Sequence, residues 1–223
     1  MAHEISVIAI DGPVAAGKTA VGRELARALG FGYLDTGIMY RAITWLALDH
    51  GIPVDDETSL GELARSYPLG LMGEDSNQVL VDGHTLGPEL RDSTVDRNVS
   101  IVSKAFSVRK ELVAQQRNTA AQGNIVMIGR DIGTVVLPDA DLKVYLTASP
   151  EKRAQRRWQE MQDRGEAVEL LTVLSETIAR DEIDSGRDDS PLKPADDAWE
   201  LNTDGLDIQQ VVQKIADRAG SPK

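Results

Sequence analysis

The sequence predicts an α/β fold in which a parallel sheet is covered by helices on both faces, and three observations predict it. Short, continuous apolar runs recur along the chain, as strands buried on both faces require. Amphipathic stretches of helical period separate them, so strands and helices alternate. The first apolar run also leads straight into Gly12, Gly17, Lys18 and Thr19, a G-x-x-x-x-G-K-[ST] phosphate-binding loop, and a helical pattern follows at once.

The strand candidates are residues 6–10, 32–34, 125–128, 142–146 and 198–201. The first helix candidate, residues 18–29, places Val21, Leu25 and Leu29 on one face and stops at Gly30. Further helix candidates are residues 38–50, 59–67, 94–106, 108–121, 150–163, 168–181 and 208–219. Ser59 with Glu62 forms a capping-box pattern, and Ser149, Pro150 and Glu151 supply a cap, a first-turn proline and an acid suited to the positive end of a helix. Gly51, Gly123 and Gly165 read as stops. Residues 69–90 break the rhythm: apolar and polar positions alternate around Asp82-Gly83, a hairpin signal that predicts a small antiparallel insert. The polar run 184–197 is either a linker or a mobile catalytic loop.

With 223 residues the chain can build one core and a small insert. No apolar run approaches the ~18 residues of a membrane helix, and Glu4 stands where a signal peptide carries bases, so the cytoplasm is the expected location. The lack of cysteine excludes disulfides and thiolate metal sites. A net charge of −12, from 24 basic and 36 acidic residues, argues against a nucleic-acid or anionic-membrane surface. An anionic substrate must then be drawn by a local arginine cluster.

Four constellations carry chemistry. In the phosphate loop, backbone N–H groups and the helix dipole would cradle phosphates, Lys18 would reach the outer ones and Thr19 would hold Mg2+. In the run 34–41, Arg41 falls early in a helix next to a strand end, where it is either an anion grip or an ordinary surface residue. Arg130 and Asp131 directly follow a buried strand candidate; they offer a planar fork and an acceptor, unless they only pair with neighbouring loops. Arg153, Arg156 and Arg157 share one helix, with Arg164 beyond and Arg180 and Arg187 flanking the next helix end. Such cations suggest an arriving anion, with salt bridges to Glu151, Glu160 and Asp163 as the competing use. No aspartate follows an apolar strand in a plain metal-binding pattern, so no carboxylate ligand for Mg2+ is named.

Together the loop GPVAAGKT, the run DTGIMYR at 35–41, the segment GRDIGTVVLPDA and the helix RAQRR resemble bacterial-type cytidylate kinase, over about residues 5–215. The resemblance implies one nucleoside monophosphate kinase domain spanning 1–223: a P-loop core, a monophosphate-binding insert at about 60–105 and a short helical lid at about 153–190. It implies ATP-dependent phosphorylation of CMP and dCMP, with Mg2+, by a monomer acting on small molecules. Gly12, Pro13, Val14, Ala15, Ala16, Gly17, Lys18, Thr19 and Ala20 would bind ATP phosphates, with Arg153 and Arg157 on the ATP side. Arg41, Arg130 and Arg187 would hold the CMP phosphate. Thr36, Ser100, Arg109 and Asp131 would line the base pocket, and Arg180 and Asp184 would lie near the sugar. Thr36 stands where the family often has Ser and keeps the hydroxyl. Lys18, Arg130, Arg157 and Arg187 would carry catalysis by neutralising the transferred group. The competing readings are a P-loop kinase for another acceptor, such as UMP or shikimate, and a non-catalytic nucleotide switch. The switch calls for an N-K-x-D guanine motif, which the sequence lacks.

Overall fold

A computed structural model of the chain describes residues 5–72, 78–187 and 189–220. Residues 73–77 of the expected hairpin segment and residue 188 of the polar run lie outside the described residues. The chain divides into two compact units, residues 1–32 with 124–223, and residues 33–123.

The first unit is built on a five-stranded sheet. Its strands are β1 (Val7–Asp11), β6 (Ile125–Ile128), β7 (Leu142–Thr147) and β8 (Trp199–Asn202), and β2 (Gly32–Asp35), of which only Gly32 lies in this unit, completes the order β2-β6-β1-β7-β8. β1 pairs in parallel with β6 (Val7 with Ile125 through Ile10 with Ile128) and with β7 (Ile8 with Leu142 through Asp11 with Tyr145). β7 pairs in parallel with β8, and β2 enters through Gly32, whose N–H donates to the Asn124 carbonyl at 2.7 Å. Ile8, Ala9 and Ile10 are fully buried and every residue of β6 is buried, as a sheet covered on both faces demands.

The covering helices are α1 (Lys18–Leu29), α6 (Pro150–Asp163), α7 (Leu170–Ser185) and α8 (Ile208–Gly220). α1 packs on α8, and α6 packs on α7. α1 ends on Gly30 at φ 68°, whose N–H satisfies the carbonyls of Ala26 and Arg27. Asp207 and Gln210 cap α8 reciprocally, each side chain accepting the other's backbone N–H at 2.8 and 3.0 Å.

The second unit holds α2 (Thr36–Asp49), α3 (Glu57–Ser66), the strands β3 (Gly70–Met72), β4 (Gln78–Val81) and β5 (His84–Leu86), then α4 (Ser93–Val102) and α5 (Phe106–Ala120). The three strands form an antiparallel sheet in chain order. Val81 faces His84 across Asp82 and Gly83, both with positive φ (47° and 74°), the two-residue turn that matches strand twist. Alternation in β4 buries Val79 and Val81.

Several element bounds shift for local reasons. The expected capping box at Ser59 gives way to Asp56, whose carboxylate accepts from Ser59 N at 3.1 Å and Ser59 Oγ at 2.6 Å, so α3 starts two residues earlier. Ser149 does occupy the cap position of α6 with Pro150 next, but its side chain makes no capping bond. The expected helix 94–106 ends at Val102, and α5 begins at Phe106. α7 runs on to Ser185, past the expected end at 181, which brings Asp184 onto its last turn.

Candidate active site

β1 delivers the chain into the phosphate loop, and the loop's geometry follows from its small residues. Gly12 (φ 149°), Ala15 (φ 57°) and Gly17 (φ 95°) all have positive φ, the backbone pattern of an amide nest for anions. A Cβ on Gly12 would lie 2.2 Å from the Leu146 carbonyl oxygen, so glycine alone fits there. Lys18 and Thr19 open α1, whose first turn carries no acid to compete with a phosphate. Lys18 is 7% exposed, and its Nζ donates to the carbonyls of Gly12 (2.8 Å) and Pro13 (2.6 Å). Val14, Ala16 and Pro13 are buried in the loop; Ala15 and Ala20 are half-buried.

Among the described residues no cluster of three or more His, Cys, Asp or Glu could hold a metal ion. Mg2+ is commonly held by one or two protein oxygens plus substrate phosphates and water, and a loop with Thr19 beside Lys18 fits that mode of binding. Asp11 does end an apolar strand, yet its carboxylate is taken up by backbone donors. Its Oδ1 accepts from Ile132 N and its Oδ2 from Gly133 N, both at 2.7 Å. Burial pushes its carboxyl up to about 6, with Asp131 adding to the rise and the two N–H donors and Lys18 opposing it. Tyr145, beside Asp11 in the register, is pushed up to about 12 by burial and by that carboxylate.

Arg130 and Asp131 leave the end of β6, where Gly129 N–H donates to the Ile10 carbonyl at 3.0 Å. A single π-helical turn, Ile132–Val136, follows. Arg130 joins a cluster centred on Asp184 of α7. The Asp184 carboxylate is 1% exposed and accepts from Arg130 Nε at 2.9 Å and from the Arg187 guanidinium. Burial pushes this carboxyl up, but Arg130, Arg187 and Arg180 together outweigh it and hold the group below the usual carboxylate range. The structure thus brings Arg130, Arg180, Asp184 and Arg187 together.

Arg153 is bound differently from a surface lid arginine. It is 3% exposed, donating to the Ala148 carbonyl (3.0 Å), the phosphate-loop carbonyl of Val14 (3.2 Å) and both oxygens of Asp181 (3.1 and 2.5 Å). Its partner is thus Asp181 on α7, not the same-helix acids Glu151, Glu160 or Asp163. Arg156 donates to Thr203, and Arg157 lies half-buried on α6.

In the second unit Asp35 caps α2 by accepting from Gly37 N at 3.0 Å, and Thr36, the first helical residue, is 4% exposed. Arg41 donates to the Leu90 carbonyl at 2.9 Å and pairs with Asp96 of α4 at 2.6 Å, each side chain 18% exposed. Arg109 of α5 is buried, with its guanidinium 3.3 Å from Tyr40 Oη and 6.0 Å from the Tyr40 ring centre. Ser100 sits half-buried on α4. Sequence reasoning passed over Asp11, Tyr40, Asp96 and Asp181. Asp11 carried a legible signal, a carboxylate between a buried strand and a phosphate loop, and Tyr40 stood within the run 35–41; Asp96 and Asp181 are recognisable only by their partners.

A sequence model of the family described as "Cytidylate kinase" matches residues 8–221. The cytidylate kinase of Desulfitobacterium hafniense is 47% identical over 208 residues, covering 93% of this chain and 90% of that protein. The cytidylate kinase of Bacillus pumilus is 46% identical over 213 residues, covering 95% of each. A gluconokinase structure from Sinorhizobium meliloti, at 13% identity, shares the fold with a TM-score of 0.50 over 97% of this chain and 93% of its own. A phosphate loop at the end of a buried parallel strand, within a chain matched over more than nine-tenths of its length at this identity, makes this protein a member of the cytidylate kinase family.

Proposed function

We propose that the chain transfers the terminal phosphoryl group of ATP to the phosphate of CMP and dCMP, yielding CDP or dCDP and ADP. The observation that carries this reading is the match of nearly the whole chain to cytidylate kinases, together with a formed phosphate loop and a buried Lys18 at the start of α1.

A CMP phosphate oxygen attacks the terminal phosphorus of ATP in line, and the bond from that phosphorus to the bridging oxygen of ADP breaks. The acceptor is already an anion, so no strong general base is needed and positioning with charge neutralisation does the work. Residues 12–20 hold the ATP phosphates, and Lys18 exchanges the carbonyls of Gly12 and Pro13 for phosphate oxygens. Thr19 would hold Mg2+ together with the nucleotide, and the ion would supply charge neutralisation for the transfer. Arg153 sets the loop from behind through Val14, and Arg157 faces the ATP side. In the first unit Arg130 and Arg187 take the CMP phosphate, Arg180 and Asp184 the sugar, and Asp131 the base. In the second unit Arg41 takes the phosphate, and Thr36, Ser100 and Arg109 serve the base. The chain works as one kinase domain, monomeric and cytoplasmic, with residues of about 60–105 as the monophosphate insert and about 153–190 as the lid.

A coupled assay of ADP release tests the reading against CMP, dCMP, UMP and shikimate. Rapid release is expected with CMP and dCMP, and at least about tenfold less with UMP, since a mismatched polar contact costs about 1–3 kcal/mol. Release with shikimate or UMP alone would overturn it.

A further inference from the structure

Asp11 ends β1, and the next residue, Gly12, opens the phosphate loop. Its two oxygens take the first N–H groups of the π-helical turn that follows Arg130 and Asp131, each at 2.7 Å. Donors at the start of a helical turn have no partner inside it and need one from elsewhere. Asp131 holds the cap position of this turn, yet its side chain makes no capping bond. The cap is supplied from β1, 121 and 122 positions away in sequence. Gly133 permits the approach: a Cβ there would stand 3.1 Å from Lys143 Cδ and 3.4 Å from Asp11 Oδ2. On the other side of Arg130, the Gly129 N–H is pinned to the Ile10 carbonyl. The segment carrying Arg130 and Asp131 is therefore held at both ends by consecutive residues of β1, immediately before the phosphate loop.

We propose that Asp11 is a positioning residue for phosphoryl transfer, its ionised carboxylate locking the turn that carries Arg130 and Asp131 in register with the phosphate loop. The proposal rests on the CMP kinase reading. Both carboxylate oxygens act as acceptors, so protonation would turn a hydroxyl toward N–H groups that need an acceptor, and an asparagine would turn its NH2 toward one of them. The charged groups facing Asp11 are Lys18 from α1, which favours its ionised form, and Asp131 beyond the turn, which opposes it. From β7, Tyr145 lies beside Asp11, and the Lys143 stem crosses Gly133 while its ammonium pairs with Asp197 at 2.9 Å. With its carboxyl pushed up to about 6, Asp11 is ionised at neutral pH and loses its charge in mild acid.

Two measurements on the full chain test this. In nucleotide-free protein, the amide resonances of Ile132 and Gly133 are followed between about pH 5 and 8. Both should move together with a midpoint near 6 in the wild type, and the movement should vanish in Asp11→Asn. In steady-state assays at neutral pH, Asp11→Asn should lower kcat by about a hundredfold, the scale of a small misplacement of reacting groups, while the KM for ATP moves less than about threefold. Asp11→Glu keeps the charge and should recover part of that kcat, which a loss of folded protein would not explain. Amides that do not titrate, or an Asp11→Asn enzyme within about twofold of wild-type kcat, would overturn the proposal. If Asp11→Asn does not fold, the wild-type amide titration decides alone. A wild-type chain that turns over no CMP would instead overturn the functional reading, and the amide titration, which needs no nucleotide, separates the two failures.

Discussion

Lys18 spends its charge on two carbonyls of its own loop, and phosphate oxygens are stronger acceptors for the same ammonium. Its charge should matter most where negative charge on the transferred group is greatest. Lys18→Ala is expected to lower kcat by a factor on the order of a thousand or more while the circular dichroism spectrum and Tm stay near wild type. Near-normal turnover in that variant would remove the kinase assignment. Asp131 invites a second measurement. Cytosine presents an amino donor at N4 where uracil presents an acceptor, so a carboxylate beside the base accepts from one and repels the other. Asp131→Asn keeps the size and can donate, and should narrow the CMP to UMP ratio of kcat/KM mainly through lost CMP activity. An unchanged ratio would leave Asp131 with no part in reading the base.

At the scale of elements, α6 and α7 form a pair cross-tied by Arg153 to Asp181, and Asp184 on the last turn of α7 gathers Arg130 from beyond β6 and Arg187 from just past the helix end. α7 also leaves Leu170, Leu171, Ile178 and Ile183 exposed, so much of its surface gains nothing from burial. The β4–β5 hairpin is likewise short, with a two-residue turn. Elements with few buried apolar contacts open most readily, and a phosphoryl transfer must exclude water. Hydrogen exchange should therefore show residues 78–90 and 153–187 among the fastest ordered segments without ligand, slowing when CMP and a non-hydrolysable ATP analogue are added together. Equal protection in both states would argue against closure.

Across the whole molecule, two buried carboxylates give opposite pH dependences. Asp11 has its folded value raised from 3.8 to about 6. Between those values the folded chain keeps a proton that the unfolded chain has lost, so this group's contribution to stability falls as pH rises through the window, by up to about 3 kcal/mol, and is level above it. Asp184 has its folded value lowered, so its contribution is present above the usual carboxylate value and is lost as pH falls through the folded one. The difference in urea-unfolding free energy between wild type and Asp11→Asn should therefore decline from about pH 4 to about pH 6 and flatten beyond. A flat difference across that range would show that Asp11 is not perturbed. The ionised Asp11 then costs stability at neutral pH and is kept for what it positions.

What the sequence determined by itself was local. The alternating strands and helices, the phosphate loop at the first strand's end, the Asp82-Gly83 turn and the glycine stops are each set by neighbours within a turn or two, because hydrophobic period and positive φ are properties of short segments. Helix bounds moved wherever a competing cap lay nearby, as Asp56 displaced Ser59. The partnerships were decided by tertiary structure alone. Nothing in the order of residues says that Asp184 will gather Arg130 from 54 positions away, that Arg41 will pair with Asp96, or that Arg153 will reach the Val14 carbonyl 139 positions back. Charged side chains can satisfy themselves with many partners or with water, so which one they meet depends on how the strands and helices pack. For the same reason Asp11, in sequence merely the residue between a strand and a loop, became the cap of a turn more than a hundred positions downstream.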